Sequence, residues 1–376
     1  MVIKNLKIVL KDRIIENGYL SFENGVIKEI GENNDLPNAI DGHGLIAMPG
    51  FIDVHIHGSC GIDFMDAKEE DYVTIANSLY KEGVTTFLAT TLTSDHDSLA
   101  KVCTTVKKVK EQIPSLGGIH FEGPYISEKH KGAQNEKYIR LPSVEEFDQL
   151  QKLSGNNVKY ITLAVEKEGA VDFIKHVTNE GVVASVGHSD ASFDEVKEAI
   201  DVGLTNVTHT HNAMSGHHHR HPGIVTAAFY FDQLNTEFIC DKVHVCPDVL
   251  LTSYKIIGPE RFIVITDALS VKNSNIEKFQ LFGLDCIKKD GAAYLTSGPL
   301  AGSILTMDQG LRNMKEITNA SLVDLAKITS KNAAKSLNLS DRGELAVNKL
   351  ADFVLLDETL HVKETYKLGK KVFAND

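Results

Sequence analysis

Hydrophobic and polar positions divide the chain into a central region of one texture and two ends of another. The ends consist of short strands and turns: alternation in "GYLSF" and the turn signal "ENG" indicate hairpins without a long helix. The tail "GELAVNKLADFVLLDETLHVKETYKLGKKVFAND" has the same character. We therefore expect residues 1–47 and 343–376 to form one small β-sandwich domain built from both termini.

Residues 48–342 alternate short apolar runs with segments of helical spacing. The candidate strands are "LIAMPGFIDVHIH", "TTFLATTLT", "LGGIHFEGP", "KYITLAVE", "VVASVGH", "TNVTHTHN", "EFICDKVHV" and "RFIVITDA". Helical segments such as "KEEDYVTIANSLYKEG", "SLAKVCTTVKKVKEQI" and "SFDEVKEAIDVG" lie between many of them, and a helix pair follows the eighth strand. Parallel strands buried on both faces appear as apolar runs, so the pattern predicts the α/β class and a (β/α)8, TIM-like barrel.

Ionisable residues recur where these candidate strands end. The six are His55 and His57 after the first strand, Glu122 after the third, His188 after the fifth, His209 after the sixth and Asp267 after the eighth. In a barrel the carboxyl ends of the strands form the face that carries active sites. We therefore expect these residues, distant in sequence, to converge on one spot.

The chemistry of this set indicates a metal site. His55 and His57 point to the same face of a strand because strand side chains alternate with a period of two. Taken singly, Glu122 has an ordinary interpretation as a turn carboxylate and Asp267 as a helix N-cap. Six such residues at one end of successive strands favour a divalent ion, Zn or Fe, held by imidazole and carboxylate with a position open for water. The implied reaction is hydrolysis of an amide or related bond.

Composition narrows the function classes. The 376 residues are 42% hydrophobic and 24% charged, as in an ordinary globular protein, and the formal charge of −12 disfavours nucleic-acid binding. Five scattered cysteines without a CxxC pair fit a reducing compartment. The N-terminal "MVIKNLKIVLKDRIIENGYL" has no signal-peptide core, and no segment is apolar enough to span a membrane. We expect a cytoplasmic protein with no membrane partner.

Motifs along nearly the whole chain carry a family resemblance. They are "PGFIDVHIHG", "HFEGPYI", "GHS", "THTHNAMSG", "VHVCP", "VITDA" and "LAGS", in this order. With them the chain resembles the N-acetylglucosamine-6-phosphate deacetylases, a branch of the amidohydrolase superfamily. The resemblance implies removal of acetate from N-acetyl-D-glucosamine 6-phosphate, which gives D-glucosamine 6-phosphate.

The resemblance also implies roles for the strand-end residues. Glu122, His188 and His209 match the family's metal ligands. His55 and His57 are retained here, which implies one or two ions per subunit with Asp267 beside them. Asp267 matches the catalytic aspartate, which takes a proton from the metal-activated water and then protonates the leaving amine.

The substrate contacts follow from the same comparison of motifs. Asn212 and Ala213 match positions that hold the sugar phosphate, and Arg220 matches an arginine that reaches the neighbouring subunit's site, which implies a homodimer. His244 matches a substrate-binding histidine. The residues that match the lining of the sugar and acetyl pocket are Ala133, Leu300, Ala301 and Gly302.

Three positions depart from the family pattern, and one of them is His211, which stands where an aromatic or leucine-like side chain is common. Gln134 stands where a histidine usually holds the acetyl carbonyl; it can donate a neutral hydrogen bond but carries no charge. Lys242 replaces a glycine, which suggests the hypothesis that it alters sugar or phosphate preference.

The stretch "HTHNAMSGHHHRHPG" holds six of the sixteen histidines. His209 alone is expected to be a ligand, whereas the histidines from His217 to His221 are expected to lie on the loop that presents Arg220.

The alternative functions are a deacetylase for the galactosamine isomer, another amidohydrolase such as a dihydroorotase-like cyclic amidase, and an inactive scaffold.

Overall fold

A parallel barrel forms the centre of the protein, whose computed structural model describes residues 1–32, 36–281, 283–298 and 300–375. Its strands are β6 (Phe51–Ile56), β9 (Val84–Thr90), β10 (Leu116–Glu122), β11 (Val158–Leu163), β12 (Val183–Val186), β13 (Leu204–Val207), β14 (Asn235–Ile239) and β15 (Phe262–Ile265). They pair in this sequence, all parallel. The first and eighth strands meet through a bridge between Ile56 and Ala268, which confirms the predicted barrel.

Helices connect the strands on the outside of the barrel. They are α1 (Glu69–Tyr80), α2 (His96–Val109), α3 (Val144–Ser154), α4 (Ala170–Asn179), α5 (Phe193–Asp201), α6 (Ile224–Tyr230) and α7 (Pro247–Ile257). The predicted pair after the eighth strand is α8 (Met307–Thr318), followed by α9 (Leu322–Ala326), a π-helical turn at Lys327–Lys331 and α10 (Asn332–Ser336). A short 3₁₀ turn lies at Glu136–Tyr138. Local capping motifs mark where helices begin. At α5, for example, Ser192 and Glu195 form a capping box. In the described ranges no helix is both long and apolar enough to cross a membrane.

Both termini contribute to one separate sheet, as predicted. Its strands are β1 (Val2–Val9), β2 (Ile14–Glu23), β3 (Val26–Glu32), β4 (Ile40–Asp41), β5 (Ile46–Pro49), β20 (Phe353–Leu356), β21 (Val362–Lys367) and β22 (Lys370–Ala374). The N-terminal strands join the C-terminal ones where β5 pairs with both β1 and β20. Phe22, Phe353 and Tyr366 pack their rings 4.4–5.9 Å apart in a core of their own. This core holds the two ends of the chain together.

The first candidate strand was wrongly taken as one element. The structure divides it at Gly50: β5 belongs to the sheet of the termini and β6 to the barrel. Pro49 has no N–H to continue a ladder. A side chain at position 50 would meet Thr85 within 2.3 Å, so glycine permits the close crossing between the two sheets.

A further antiparallel sheet, absent from the sequence prediction, follows the eighth strand. It comprises β16 (Lys278–Leu281), β17 (Leu284–Lys289), β18 (Ala292–Leu295) and β19 (Leu300–Ser303). A bridge from Ser303 to Ala268 ties it to the end of β15. A small two-stranded ribbon, β7 (Gly58–Ser59) with β8 (Ile62–Asp63), lies after β6. These additions surround the carboxyl face of the barrel.

Candidate active site

The six predicted residues converge at the carboxyl end of the barrel. His55 and Glu122 lie at the carboxyl ends of the strands β6 and β10. His188, His209 and Asp267 each stand two residues after the end of their strand. They form two groups, and within each group the potential ligand atoms lie within 4.8 Å of one another. One group is His55, His57 and Asp267, and the other is Glu122, His188 and His209. The predicted convergence is therefore present.

Three of these residues have left-handed backbone conformations. His188 has φ of 48°, His209 of 29° and Asp267 of 48°, which residues other than glycine rarely adopt. Such strain persists where the surrounding structure imposes it, and it clusters at functional sites. Here it turns each side chain from the end of its strand toward the barrel axis.

Glu122 stands between the two groups. Its Oε1 is 3.1 Å from the Nε2 atoms of both His188 and His209 and 3.2 Å from His55 Nε2. The Oε1 atom is thus shared by three imidazoles, and all four side chains are buried. One carboxylate oxygen therefore joins the groups into a single centre.

His57 and Asp267 complete the other side of the centre. Asp267 Oδ1 lies 3.1 Å from His57 Nε2 and 3.4 Å from His55 Nε2. His57 Nε2 is also 3.4 Å from Glu122 Oε2. Asp267 keeps 14% of its side chain exposed, the largest fraction among the members of the centre that line the cavity.

The charges in this centre shift the pKa values of its members in opposite directions. Burial alone would lower the pKa of His55, but the carboxylates of Asp267 and Glu122 raise it well above the usual value for histidine. Burial would raise the pKa of Glu122, yet His55 and His188 hold it well below its usual range. The same opposition, with His55 and His57 outweighing burial, lowers the pKa of Asp267 to about 2. Both carboxylates are therefore ionised at neutral pH.

The donor set fits a divalent cation. The Nε2 atoms of His188 and His209 are 3.1 Å apart, close to the separation of about 3.3 Å between ligands of a tetrahedral ion with bonds of about 2.0–2.1 Å. His55 Nε2 is buried in the centre without a hydrogen-bond partner. The centre offers four imidazoles and two carboxylates, and both are ligand types found at Zn and Fe sites. A cation would satisfy the unpartnered nitrogen and compensate both carboxylates.

A cavity of about 190 Å³ opens beside the centre. Every predicted substrate residue except Arg220 lines it: Ala133, Gln134, Asn212, Ala213, His244, Leu300, Ala301 and Gly302. His244 donates from Nδ1 toward Asp241, whose Oδ2 is 2.6 Å away, and this contact raises the pKa of His244 against the effect of burial. The cavity thus brings the metal ligands and the predicted sugar contacts together.

Arg220 lies elsewhere in the same chain. It is exposed on the loop between β13 and α6 and borders a surface cleft with Phe193 and Pro222. The histidines around it are exposed as well, and His218 stacks near His219 and His221. Within one chain this loop does not contribute to the cavity.

Gln134 and Lys242, two of the departures from the family pattern, differ in their placement. Gln134 is buried: its carbonyl accepts the Thr93 N–H at 2.8 Å, and its amide donates to Glu122 Oε2 at 2.6 Å. Lys242 instead pairs with Glu316 at 2.7 Å and does not line the cavity. The geometry therefore gives no support to the hypothesis that Lys242 selects the substrate.

Several residues of the site were not found from the sequence. Leu281 of the added sheet lines the cavity, together with Leu92, Ile239 and Leu269. Glu237 of β14 lies below the centre, with Oε2 3.3 Å from His55 Nδ1. A carboxylate inside the apolar run "EFIC" was the available signal, since charged residues are rarely buried without a partner.

Comparison with known proteins agrees with this geometry. A model of the amidohydrolase family matches residues 46–373. The chain is 36% identical over 375 residues to the N-acetylglucosamine-6-phosphate deacetylase of Lysinibacillus sphaericus, covering 98% of this chain and 97% of that one.

Solved structures of N-acetylglucosamine-6-phosphate deacetylases superpose on this chain over its whole length. The N-acetylglucosamine-6-phosphate deacetylase of Thermotoga maritima matches with a TM-score of 0.92 and 34% identity, covering 100% of both chains. A mutant of the Mycobacterium smegmatis enzyme, in complex with N-acetyl-D-glucosamine-6-phosphate, matches with a TM-score of 0.95 and 28% identity, covering 100% of this chain and 99% of that one. The chain belongs to the amidohydrolase family.

Proposed function

We propose that this protein hydrolyses the N-acetyl group of N-acetyl-D-glucosamine 6-phosphate to give D-glucosamine 6-phosphate and acetate. One observation carries the proposal: a single cavity joins the two ligand groups to the residues predicted to hold the sugar. The relatives described above carry the name of this activity. The Mycobacterium smegmatis relative binds the same phosphosugar.

The metal centre supplies the electrophile in this proposal. Glu122, His188 and His209 would hold one divalent ion, Zn or Fe, and His55, His57 and Asp267 a second. When bound, such an ion polarises a carbonyl oxygen and makes water a stronger acid. Gln134 holds Glu122 in place through the other carboxylate oxygen, a task that leaves the charge of the centre unchanged.

Asp267 is the proposed proton carrier. It is ionised at neutral pH, faces the cavity and lies across the barrel mouth from His188 and His209. It takes the proton of the attacking water as the C–O bond forms, and it returns this proton to the nitrogen as the C–N bond breaks. The products are then a free amine and acetate.

The phosphate is held at the far end of the cavity and by the adjoining subunit. Asn212 and Ala213 face the cavity, and His244 carries positive charge to a higher pH than an ordinary histidine because of Asp241. Arg220 is exposed on its own chain and lies away from the cavity; in the proposed homodimer it reaches the adjoining subunit's site, where its planar fork suits a phosphate.

The remaining proposals concern organisation and location. A small domain of residues 1–47 and 343–376 lies beside a catalytic domain of residues 48–342, and strand β5 of the small domain runs two residues past this boundary, to Pro49. All five cysteines are free thiols, which favours the reducing cytoplasm.

An acetate-release assay tests the reaction. Protein loaded with Zn or Fe is incubated with N-acetylglucosamine 6-phosphate, N-acetylgalactosamine 6-phosphate and unphosphorylated N-acetylglucosamine. We expect release from the first to exceed both others. Absence of release from either phosphosugar refutes the proposal, faster release from the galactosamine isomer reassigns the substrate, and equal release from the unphosphorylated sugar removes the role of Arg220.

Subunit mixing tests the homodimer. Arg220→Ala and Asp267→Asn should each be inactive alone, whereas randomly mixed subunits should recover about a quarter of the wild-type activity, because half of the dimers contain one intact site in a two-fold assembly. A mixture as inactive as its components shows that Arg220 acts within its own chain, and an Arg220→Ala protein that is active alone shows that Arg220 has no role.

A further inference from the structure

We propose that Glu237 is a positioning residue that fixes the ring of His55 and thereby controls the affinity of the His55, His57 and Asp267 group for its ion. This inference rests on the metal centre of the proposed function. Glu237 belongs to neither ligand group and does not line the cavity. Its effect is therefore exerted through His55.

Glu237 uses both of its carboxylate oxygens inside the barrel. Oε1 accepts the hydroxyl hydrogen of Tyr160 at 2.5 Å, and Oε2 lies 3.3 Å from Nδ1 of His55. The backbone N–H of His209 is 3.5 Å from the same Oε2. Glu237 is fully buried, so water does not replace any of these contacts.

These contacts determine which nitrogen of His55 can bind an ion. A carboxylate oxygen only accepts hydrogen bonds, so the ring must present its N–H from Nδ1. In the neutral ring that binds a cation, the lone pair then lies on Nε2, which points toward Glu122 and Asp267 and is buried without a hydrogen-bond partner. Fixing the tautomer and the ring orientation of a ligating histidine is what such a carboxylate does at metal sites.

Ring packing holds the same arrangement from the side. The ring of His120 lies 4.6 Å from that of His55 and 4.5 Å from that of Tyr160. His120 is itself anchored, with Nδ1 3.0 Å from the Val54 carbonyl and Nε2 2.7 Å from Thr162 Oγ1. Tyr160 and His120 therefore limit rotation of both the Glu237 carboxylate and the His55 ring.

A purely structural role accounts poorly for Glu237. In the described part of the chain no lysine or arginine forms an ion pair with it, and His55 is its ion-pair partner. Burying a carboxylate without a cation is costly. The cost is offset where the carboxylate orients a ligand whose ion brings the missing positive charge.

Metal titration tests this without any substrate. Metal-free wild type and variants are titrated with Zn²⁺ by calorimetry, and bound metal is counted by elemental analysis. We expect two binding steps in the wild type, one lost in His55→Asn and the other in His188→Asn. Glu237→Gln should weaken the His55 step by about 10–100-fold and leave the other unchanged.

Two more variants separate positioning from general damage. Tyr160→Phe keeps the carboxylate but removes its anchor, so it should weaken the same step by less. Asp53→Asn neutralises a fully buried carboxylate on β6, which accepts from the Thr266 hydroxyl and from the backbone N–H groups of His55 and Thr266. Among the described residues no imidazole nitrogen is hydrogen-bonded to it, so both steps should persist.

The proposal is overturned if Glu237→Gln leaves both steps intact, weakens both equally, or has the same effect as Asp53→Asn. It is also overturned if the wild type binds a single ion without His55. Acetate release is measured separately: an inactive protein that still shows the expected titration refutes the proposed reaction and leaves the role of Glu237 standing.

Discussion

A buried ion pair between Lys272 and Glu82 offers a sharp test of how the active-site loops are held. Lys272 Nζ lies 3.0 Å from Glu82 Oε2, and both side chains are almost completely buried. Glu82 also accepts hydrogen bonds from Asn273 Nδ2 at 2.6 Å and from the Met307 N–H at 3.1 Å. The pair therefore joins the turn between α1 and β9 to the segment after β15, while the backbone carbonyl of Lys272 accepts from the Cys60 N–H at 2.8 Å.

The expected cost of Lys272→Met follows from this geometry. At 3.0 Å and an effective dielectric constant of about 20, the attraction is about 5–6 kcal/mol. Desolvation of the two ions offsets most of it, so the pair itself stabilises little. Removing one partner leaves a buried charge, which costs about 3–5 kcal/mol. Because Asn273 and Met307 still donate to Glu82, we expect a loss near the lower limit, about 3 kcal/mol.

The double variant Lys272→Met with Glu82→Gln isolates the charge. It carries no unpaired ion. Asn273 and Met307 donate to different oxygens of Glu82, and a glutamine has only one acceptor oxygen, so one of these bonds is lost and we expect a loss of about 1–2 kcal/mol. The assay is urea unfolding of the metal-free protein at constant m-value.

The pH dependence has a definite sign. Burial already raises the pKa of Glu82 despite Lys272, and the variant loses that opposing charge. A carboxyl with a raised folded pKa destabilises the fold above that pKa and ceases to do so as it protonates. The single variant should therefore be closer to the wild type at pH 5 than at pH 8. A loss below about 1 kcal/mol at pH 8, or a double variant as unstable as the single one, refutes the reasoning.

Three further results are expected. Asp267→Asn should lower kcat by about 10²–10⁴-fold in an acetate-release assay at equal bound metal, because the amide cannot carry the proton; a loss below tenfold would contradict the role. The KM for the phosphosugar should rise as pH passes upward through the raised pKa of His244, and Asp241→Asn should move this rise to lower pH; identical profiles would show that Asp241 does not set that charge. Removal of metal by a chelator should abolish acetate release, and restored Zn²⁺ at about 100 times its Kd should stabilise the fold by about 2.7 kcal/mol in urea unfolding, whereas unchanged stability would mean that the folded protein has no metal site.

Much of the barrel was readable because its signals are local. A strand between two layers is apolar throughout, a surface helix repeats every 3.6 residues, and these periods persist in segments such as those that became β10 and α5. The strand-end positions of His188 and Asp267 followed directly, since parallel strands bring their carboxyl ends to one face. The left-handed backbones that aim these side chains inward were not visible in the pattern.

The sheet of β16 to β19 escaped prediction because its strands are short and mostly exposed. Burial is sparse in Lys278–Leu281 and Leu284–Lys289, so no apolar face marks them. The change of sheet at Gly50 was hidden for the opposite reason, since β5 and β6 are apolar on both sides of it. A hydrophobic pattern indicates that a segment is buried, but it does not indicate to which sheet the segment belongs.

Local patterns in the sequence specified the helices and parallel strands of the barrel, the order of those strands and the ligand types at their ends. Tertiary structure alone decided that Glu237 lies under His55, that Gln134 holds Glu122, that Lys242 pairs with Glu316 away from the cavity, and that Arg220 stands apart from the site of its own chain. The difference lies in how far apart along the chain the interacting residues are. Periodicity records how each residue relates to its near neighbours, whereas these contacts join residues far apart in the chain, and only the closed barrel and its loops fix their distances.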